Sequence, residues 1–228
     1  MFGELHGTRE VPQLIGGLLA ELARLGYGGL ALEAPHDLRG PLQAWADGSV
    51  LDPPRFYARP NRDGRGNIQM LELIRSARSL GLELLCFDQS VGQPAQSWAD
   101  RDRWMARNLL EQWAALEAGT RVLGICVSQH VRLVDEHGVG GLLRQAASGG
   151  ERHWPSLAGW IRQWQPGVAI SSIDVRFASG AFYNMGKRTI YARPGASREP
   201  WLRDGASGVT AELWLPRATV ATFLAAPS

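Results

Sequence analysis

The sequence predicts an α/β fold, a mainly parallel central sheet flanked by helices on both faces, in a single domain over residues 1–228. Three observations predict it. Short, wholly apolar runs such as Leu-Leu-Cys-Phe and Val-Leu-Gly-Ile-Cys-Val alternate with longer stretches of helical apolar spacing. Strands without polar alternation are those buried between two helical layers. The helical stretches also close on glycines, at Gly26, Gly81 and Gly119, where a left-handed cap ends a helix.

The elements follow in order. Met1-Phe2 is all that the sequence offers as a first strand, which suggests either a start drawn too late or an irregular sheet edge. Residues 11–25 carry Val11, Leu14, Ile15, Leu18, Leu19 and Leu22 on one helical face, with Thr8 a candidate cap. Residues 29–33 read as a buried strand. Residues 34–66 are a Pro-, Gly- and Arg-rich excursion with a short helical piece at 42–46; connections of that length are usually functional lids or disordered linkers, and this one reads as lid-like. A helix at 68–80, with Asn67 as its cap, leads to a strand at 82–87. A second excursion, 89–99, precedes a long helix at 100–118 with Asp100 as its cap. Then come a strand at 122–127, helices at 139–147 and 157–164, and strands at 168–175, 189–192 and 209–215, the last two a hairpin or edge pair.

Composition limits the function classes. The 228 residues are 45% hydrophobic and 20% charged, enough apolar chain for a full core without disulfide or metal staples. A net charge of +2 is too small a bias to suggest a nucleic-acid partner, and Lys187 is the single lysine among 24 basic residues. No apolar run reaches the 18 residues that a membrane helix needs, and no signal peptide is visible, so a cytoplasmic location is expected. Cys86 and Cys126 each sit inside an apolar run and read as buried, reduced thiols.

In an open parallel sheet, ligands bind beyond the carboxyl ends of the strands. Each candidate strand here runs into an ionisable residue: the first into Glu4 and His6, the second into Glu33, the third into Asp88, the fourth into His130, the fifth into Asp174 and Arg176. In extended chain, residues i and i+2 face the same side, so Glu4 and His6 would share one pocket. Gly3 and Gly7 would admit substrate close to the backbone. Two chemistries fit. A histidine, His6 or His130, oriented by a carboxylate, acts as general base. Alternatively Glu4, His6, Glu33 and His130, or Asp88, ligate a divalent metal, for which Mn, Fe, Co or Zn suits the mixed donors.

Gly-Glu4-Leu-His6-Gly-Thr-Arg-Glu10 resembles the opening motif of the superfamily that joins the erythromycin esterases, the ChaN-like haem-binding proteins and the TIKI-type metalloproteases. Leu-Ala-Leu-Glu33-Ala-Pro, Arg101-Asp102-Arg-Trp-Met-Ala and Val-Leu-Gly-Ile-Cys-Val-Ser-Gln-His130 are similar to its later motifs, in the same order. The Glu4-Leu-His6 spacing is nearer to the ChaN and TIKI members, and the chain lacks the esterases' large helical insertions. The resemblance implies a site of Glu4, His6, Glu33 and His130, with Arg101 positioning substrate or stabilising charge and Asp102 in support; Asp88, at its strand end, and Glu10 are further supporting candidates. It also implies a bacterial hydrolase or group-transfer enzyme acting on an ester or amide of a small molecule or peptide. Haem or metal binding without chemistry, or a metal-dependent peptidase using Mn, Co or Zn, are the other activities it allows.

His36, Arg55, Tyr57 and Arg59 in or near the 34–66 excursion are candidate substrate contacts, Arg62 and Arg65 lie in the same segment, and its arginines suit a carboxylate or phosphate. His137 and His153 sit in polar context without evident partners. No Gly-x-Ser-x-Gly elbow, dinucleotide fingerprint or Walker motif is present, which argues against a serine triad and nucleotide binding.

Overall fold

The computed structural model describes residues 1–58, 63–90, 92–93, 97–134, 155–192, 197–205 and 208–224. The strands are β1 (Phe2–Glu4), β2 (Tyr27–Pro35), β3 (Glu83–Asp88), β4 (Arg121–Val127), β5 (Ile173–Phe177), β6 (Gly180–Tyr183), β7 (Lys187–Ile190), β8 (Trp201–Asp204) and β9 (Ala211–Leu215). A seven-stranded sheet runs β3-β2-β4-β1-β5-β9-β8, parallel throughout except for β8 against β9; β6 and β7 form a separate antiparallel hairpin. The helices are α1 (Glu10–Arg24), α2 (Arg39–Ala46), α3 (Arg55–Ala58), α4 (Ile68–Ser79), α5 (Trp98–Ala114) and α6 (Leu157–Trp164). Val11, Ile15 and Leu19 of α1 pack with α4 on one face of the sheet, and Met105, Leu109, Leu157 and Ile161 of α5 and α6 on the other. The sheet is therefore covered on both sides, which is why its strands are apolar on both.

The first strand is short but central, not an irregular edge. β1 lies between β4 and β5, pairing Gly3 with Cys126 on one side and Asp174 on the other. A Cβ on Gly3 would lie 2.7 Å from Val131 Cγ2 and 2.9 Å from Ser128 Cα, so this glycine admits the chain's own β4 turn rather than a substrate. Gly7 is likewise filled by the backbone of Tyr183.

The exposed edge of β3 is closed by a side chain. Gln112 of α5 accepts from the Cys86 N–H (3.2 Å) and donates to the Cys86 carbonyl (2.8 Å), and Asn108 donates to the Phe87 carbonyl (3.2 Å). These amides take the bonds that another strand would otherwise offer.

Several boundaries differ from the sequence expectation. Helix α5 starts at Trp98 because Ser97, not Asp100, is the cap: its hydroxyl accepts from the Asp100 N–H at 3.1 Å. Thr8 does not cap α1; its hydroxyl donates to the Leu5 carbonyl (2.9 Å). The fifth strand begins at Ile173 because Ser172 just before it is bonded to Thr210, through both backbone and hydroxyl. The last two expected strands pair with β6 and β8, which their short, mixed sequences concealed, and not with each other. The helix expected at 139–147 falls outside the described residues. Part of the 34–66 excursion belongs to the core, where Leu42, Trp45 and Tyr57 are buried.

Gly7 and Gly48 both have positive φ, +74° and +79°, but a Cβ at Gly7 would stand 2.1 Å from the Tyr183 carbonyl whereas Gly48 faces open space. Gly48→Ala should cost about 1 kcal/mol, the left-handed penalty alone, and Gly7→Ala at least about 2 kcal/mol more, measured by urea denaturation. Equal losses would mean that the hairpin does not dock on Gly7.

Candidate functional site

Glu4 ends β1, Glu33 lies near the end of β2, Asp88 ends β3, and His130 follows β4 by a tight turn in which its N–H bonds the Val127 carbonyl (2.9 Å). The adjacency of β1, β4, β2 and β3 brings these four carboxyl ends to one rim. The β2–β3 register shifts between Leu32 and Pro35, an irregularity at the position of Glu33. The N-terminal part of α5 adds Arg101 and Asp102.

The side chains form two imidazole–carboxylate dyads directed at a third carboxylate. His6 Nδ1 lies 2.8 Å from Glu4 Oε1, the pairing that i, i+2 spacing in extended chain anticipates. His130 Nδ1 meets Asp102. The other ring nitrogens converge on Glu33: His6 Nε2 is 3.4 Å from Oε2 and His130 Nε2 is 3.6 Å from Oε1. Glu33 also accepts from the Val127 N–H (2.7 Å) and from Arg101 (2.7 Å). All of this is buried: His130 is 0% exposed, Asp102 1% and Glu33 6%.

Two arginines close the cluster towards solvent. Arg101 spans both oxygens of Asp88, at 3.0 and 2.7 Å, and reaches Glu33. Arg65 binds Asp88 (2.6 Å), the Glu33 carbonyl (2.9 Å), Glu33 Oε1 (3.3 Å) and Asp63 (2.8 Å). Arg65 was one of several excursion arginines in the sequence; only its flanking glycines and the Asn67-capped helix that follows hint at its position. A Cβ on Gly64 would meet Gly7 Cα at 2.8 Å, so Arg65 is seated by close contact with the His6 loop.

Other expected residues lie elsewhere. Glu10 opens α1, and no hydrogen bond or ion pair described for the cluster reaches it. His36 and Arg55 are exposed, and no hydrogen bond or ion pair described for the buried cluster reaches them. Tyr57 is 2% exposed and belongs to the core rather than to a substrate surface; burial pushes its phenol pKa well up. Arg59, Arg62, His137 and His153 fall outside the described residues. Asp174 and Arg176 form a second group with Glu212 and Arg203 on β5, β9 and β8.

The electrostatics follow from burial. Burial opposes the charged form of His6, but the Glu33 charge and the hydrogen bonds to Glu33 and Glu4 outweigh it and hold the pKa up at about 10. For His130, burial is outweighed by Asp102 and then Glu33, giving about 9. Burial also works against ionised Glu33, yet His6, His130 and Arg101 hold its pKa well below the usual carboxylate value. Asp88 is lowered chiefly by Arg101, against burial. At neutral pH the free protein thus carries two imidazoliums around an ionised Glu33.

For a divalent metal the donors left open would be the Nε2 atoms of His6 and His130, since carboxylates hold both Nδ1 atoms. Both Glu33 oxygens already accept hydrogen bonds, and Asp88 is engaged by two guanidiniums. Among the described residues no group of three His, Cys, Asp or Glu side chains has ligating geometry.

No family model matches the chain, and no curated protein matches it. A protein from Bacillus cereus superposes with a TM-score of 0.71 at 11% identity, over 97% of this chain and 89% of its own. A succinoglycan biosynthesis protein superposes with a TM-score of 0.68 at 8% identity, over 98% and 89%. These likenesses show the fold.

The raised histidines set a stability window. Each contributes stability that is complete below its unfolded value near 6.5 and is lost as pH rises through its folded value, about 9 or 10. Lowered Glu33 acts oppositely: its contribution holds above its unfolded value of 4.5 and is lost as pH falls through the folded value. Tm should therefore fall steadily from pH 6.5 to 10, and less steeply in His6→Asn or His130→Asn. The same alkaline slope in all three proteins would contradict protonation of these rings.

Proposed function

We propose that the protein is a hydrolase or related group-transfer enzyme acting on an ester or amide of a small molecule or peptide by acid–base chemistry. The convergence of two carboxylate-held imidazoles on Glu33 carries this reading. It is supported by the resemblance to the erythromycin-esterase and ChaN-like proteins, whose motif residues are those assembled here. No helix among the described residues is long and apolar enough to cross a membrane. The two cysteines are buried and free, consistent with a reducing cytoplasm.

In the proposed reaction, neutral His6 takes a proton from water at Nε2 while Glu4 holds Nδ1. The water oxygen adds to the carbonyl, and Arg101 stabilises the negative charge developing on the carbonyl oxygen. His130, protonated at Nε2 and held by Asp102, gives its proton to the leaving oxygen or nitrogen as that bond breaks. Ester and water become acid and alcohol, and the His6 proton returns to His130 through solvent. A substrate oxygen entering between His6 and Glu33 separates the ring from the charge that keeps it protonated, which lowers its pKa at the moment a base is needed.

His6→Ala and His130→Ala should each lose about 10²- to 10⁴-fold in turnover of ester substrates with the fold retained by circular dichroism. Undiminished turnover in His6→Ala would remove the reading. Because the base must be neutral and the acid protonated, kcat/KM should be bell-shaped with its optimum between about 9 and 10, the two limbs belonging to the coupled pair. The acid limb of kcat should lie lower, since it reports the substrate complex. A kcat/KM that is level from pH 6 through 8 would contradict His6 as base.

A further inference from the structure

Two clefts beside the cluster share a wall formed by Gln89, Ser90 and Gln93. The first, about 650 Å3, is open towards the charged rim and includes Asp63, Arg65, Asp88 and Arg101. Its charges are matched internally: Arg65 is engaged by Asp63, Asp88 and Glu33, and Arg101 by Asp88 and Glu33. An anionic substrate would have to compete with carboxylates already in place, so Arg65, one of the excursion arginines expected to suit a carboxylate or phosphate, is already paired within the protein.

The second cleft, about 450 Å3, is lined by His36, Gln89, Ser90, Gln93, Trp104 and Asn108. Among the described residues, its lining has no carboxylate and no guanidinium. Amides and a hydroxyl both donate and accept, which suits a ligand whose groups do the same. Trp104 is 44% exposed, and the Arg107 guanidinium packs 3.9 Å from its ring centroid. A buttressed indole supplies a flat apolar surface for the C–H face of a ring. A stacking surface and dual-function polar groups, with no carboxylate or guanidinium among the described lining residues, suit a neutral ring bearing hydroxyl groups.

We infer that this second cleft is a subsite for a neutral, hydroxyl-rich ring, a glycosyl unit, attached to the reacting group. The shared wall of Gln89, Ser90 and Gln93 lets a ring seated against Trp104 extend its substituent into the first cleft, beside Arg101 and the histidines. The inference rests on the proposed reaction only for the placement of the scissile bond; binding of the ring does not require turnover. It also gives His36 a place at the subsite, separate from the proton-transfer machinery.

The test is isothermal titration of the full chain and of His6→Asn with neutral methyl hexosides (gluco, galacto and manno) and the disaccharides maltose, cellobiose and lactose. Glucuronate and glucose 6-phosphate serve as charged counterparts. At least one neutral sugar should bind saturably, equally well to His6→Asn, and about tenfold or more weakly to Trp104→Ala, a change at an exposed position. Tighter binding of a charged counterpart, unaltered binding in Trp104→Ala, or no binding across the neutral panel would overturn the inference. Sugar binding without His6-dependent hydrolysis would leave the subsite standing and remove the hydrolase reading; the reverse result would do the opposite.

Discussion

Glu33 is the charge around which the carboxyl rim is organised. A carboxylate so deeply buried is costly unless it is paired and hydrogen-bonded. Here the Val127 N–H, Arg101, Arg65 and two imidazoles share the task. Each compensating cation needs an anion of its own: Glu4 for His6, Asp102 for His130, Asp88 for both arginines. The network is thus one of mutual dependence, and removing Glu33 would take from both buried imidazoles and both arginines a partner that they share.

The fold makes this network possible by what it places next to what. A three-residue β1 between β4 and β5 brings Glu4 and His6 beside the β4 turn that carries His130. The turn is pinned in its own right, since the His130 carbonyl accepts from the Ala158 N–H of α6 at 3.0 Å. Across the rim, the Ser97-capped start of α5 presents Arg101 to Asp88 and Glu33 and Asp102 to His130. Fixed positions on strand ends and a helix are better suited to hold reacting atoms than free loops, and only Arg65 is supplied from a long connection.

Much of this was legible in the sequence, for physical reasons. Apolar strands announce a sheet covered on both faces, and the i, i+2 geometry of Glu4 and His6 follows from extended backbone alone. Asn67 capping α4 could be read from its side-chain chemistry, and the Met70 N–H does bond to it at 2.9 Å. The remainder depended on contacts distant in sequence. Three residues are too few to reveal a central strand, whose pairing is set by β4 and β5. Glycines that appeared to admit substrate instead admit Ser128 and the backbone of Tyr183. The part played by Arg65 emerges only when the excursion folds back on Asp88, and the burial of Tyr57 depends on the same return. Burial also changes the chemistry: a carboxylate–histidine pair read as a ready base becomes, around an ionised Glu33, an imidazolium that must first lose its proton.

The most direct measurement is an NMR titration of ring nitrogens in 15N-histidine-labelled protein, wild type and Glu33→Gln. Two of the five histidines should stay doubly protonated past pH 8 in wild type, assigned as His6 and His130 by substitution, and shift downward together in Glu33→Gln. Titration of both near 6.5 in wild type, or no response to the loss of the Glu33 charge, would contradict a site organised around that carboxylate.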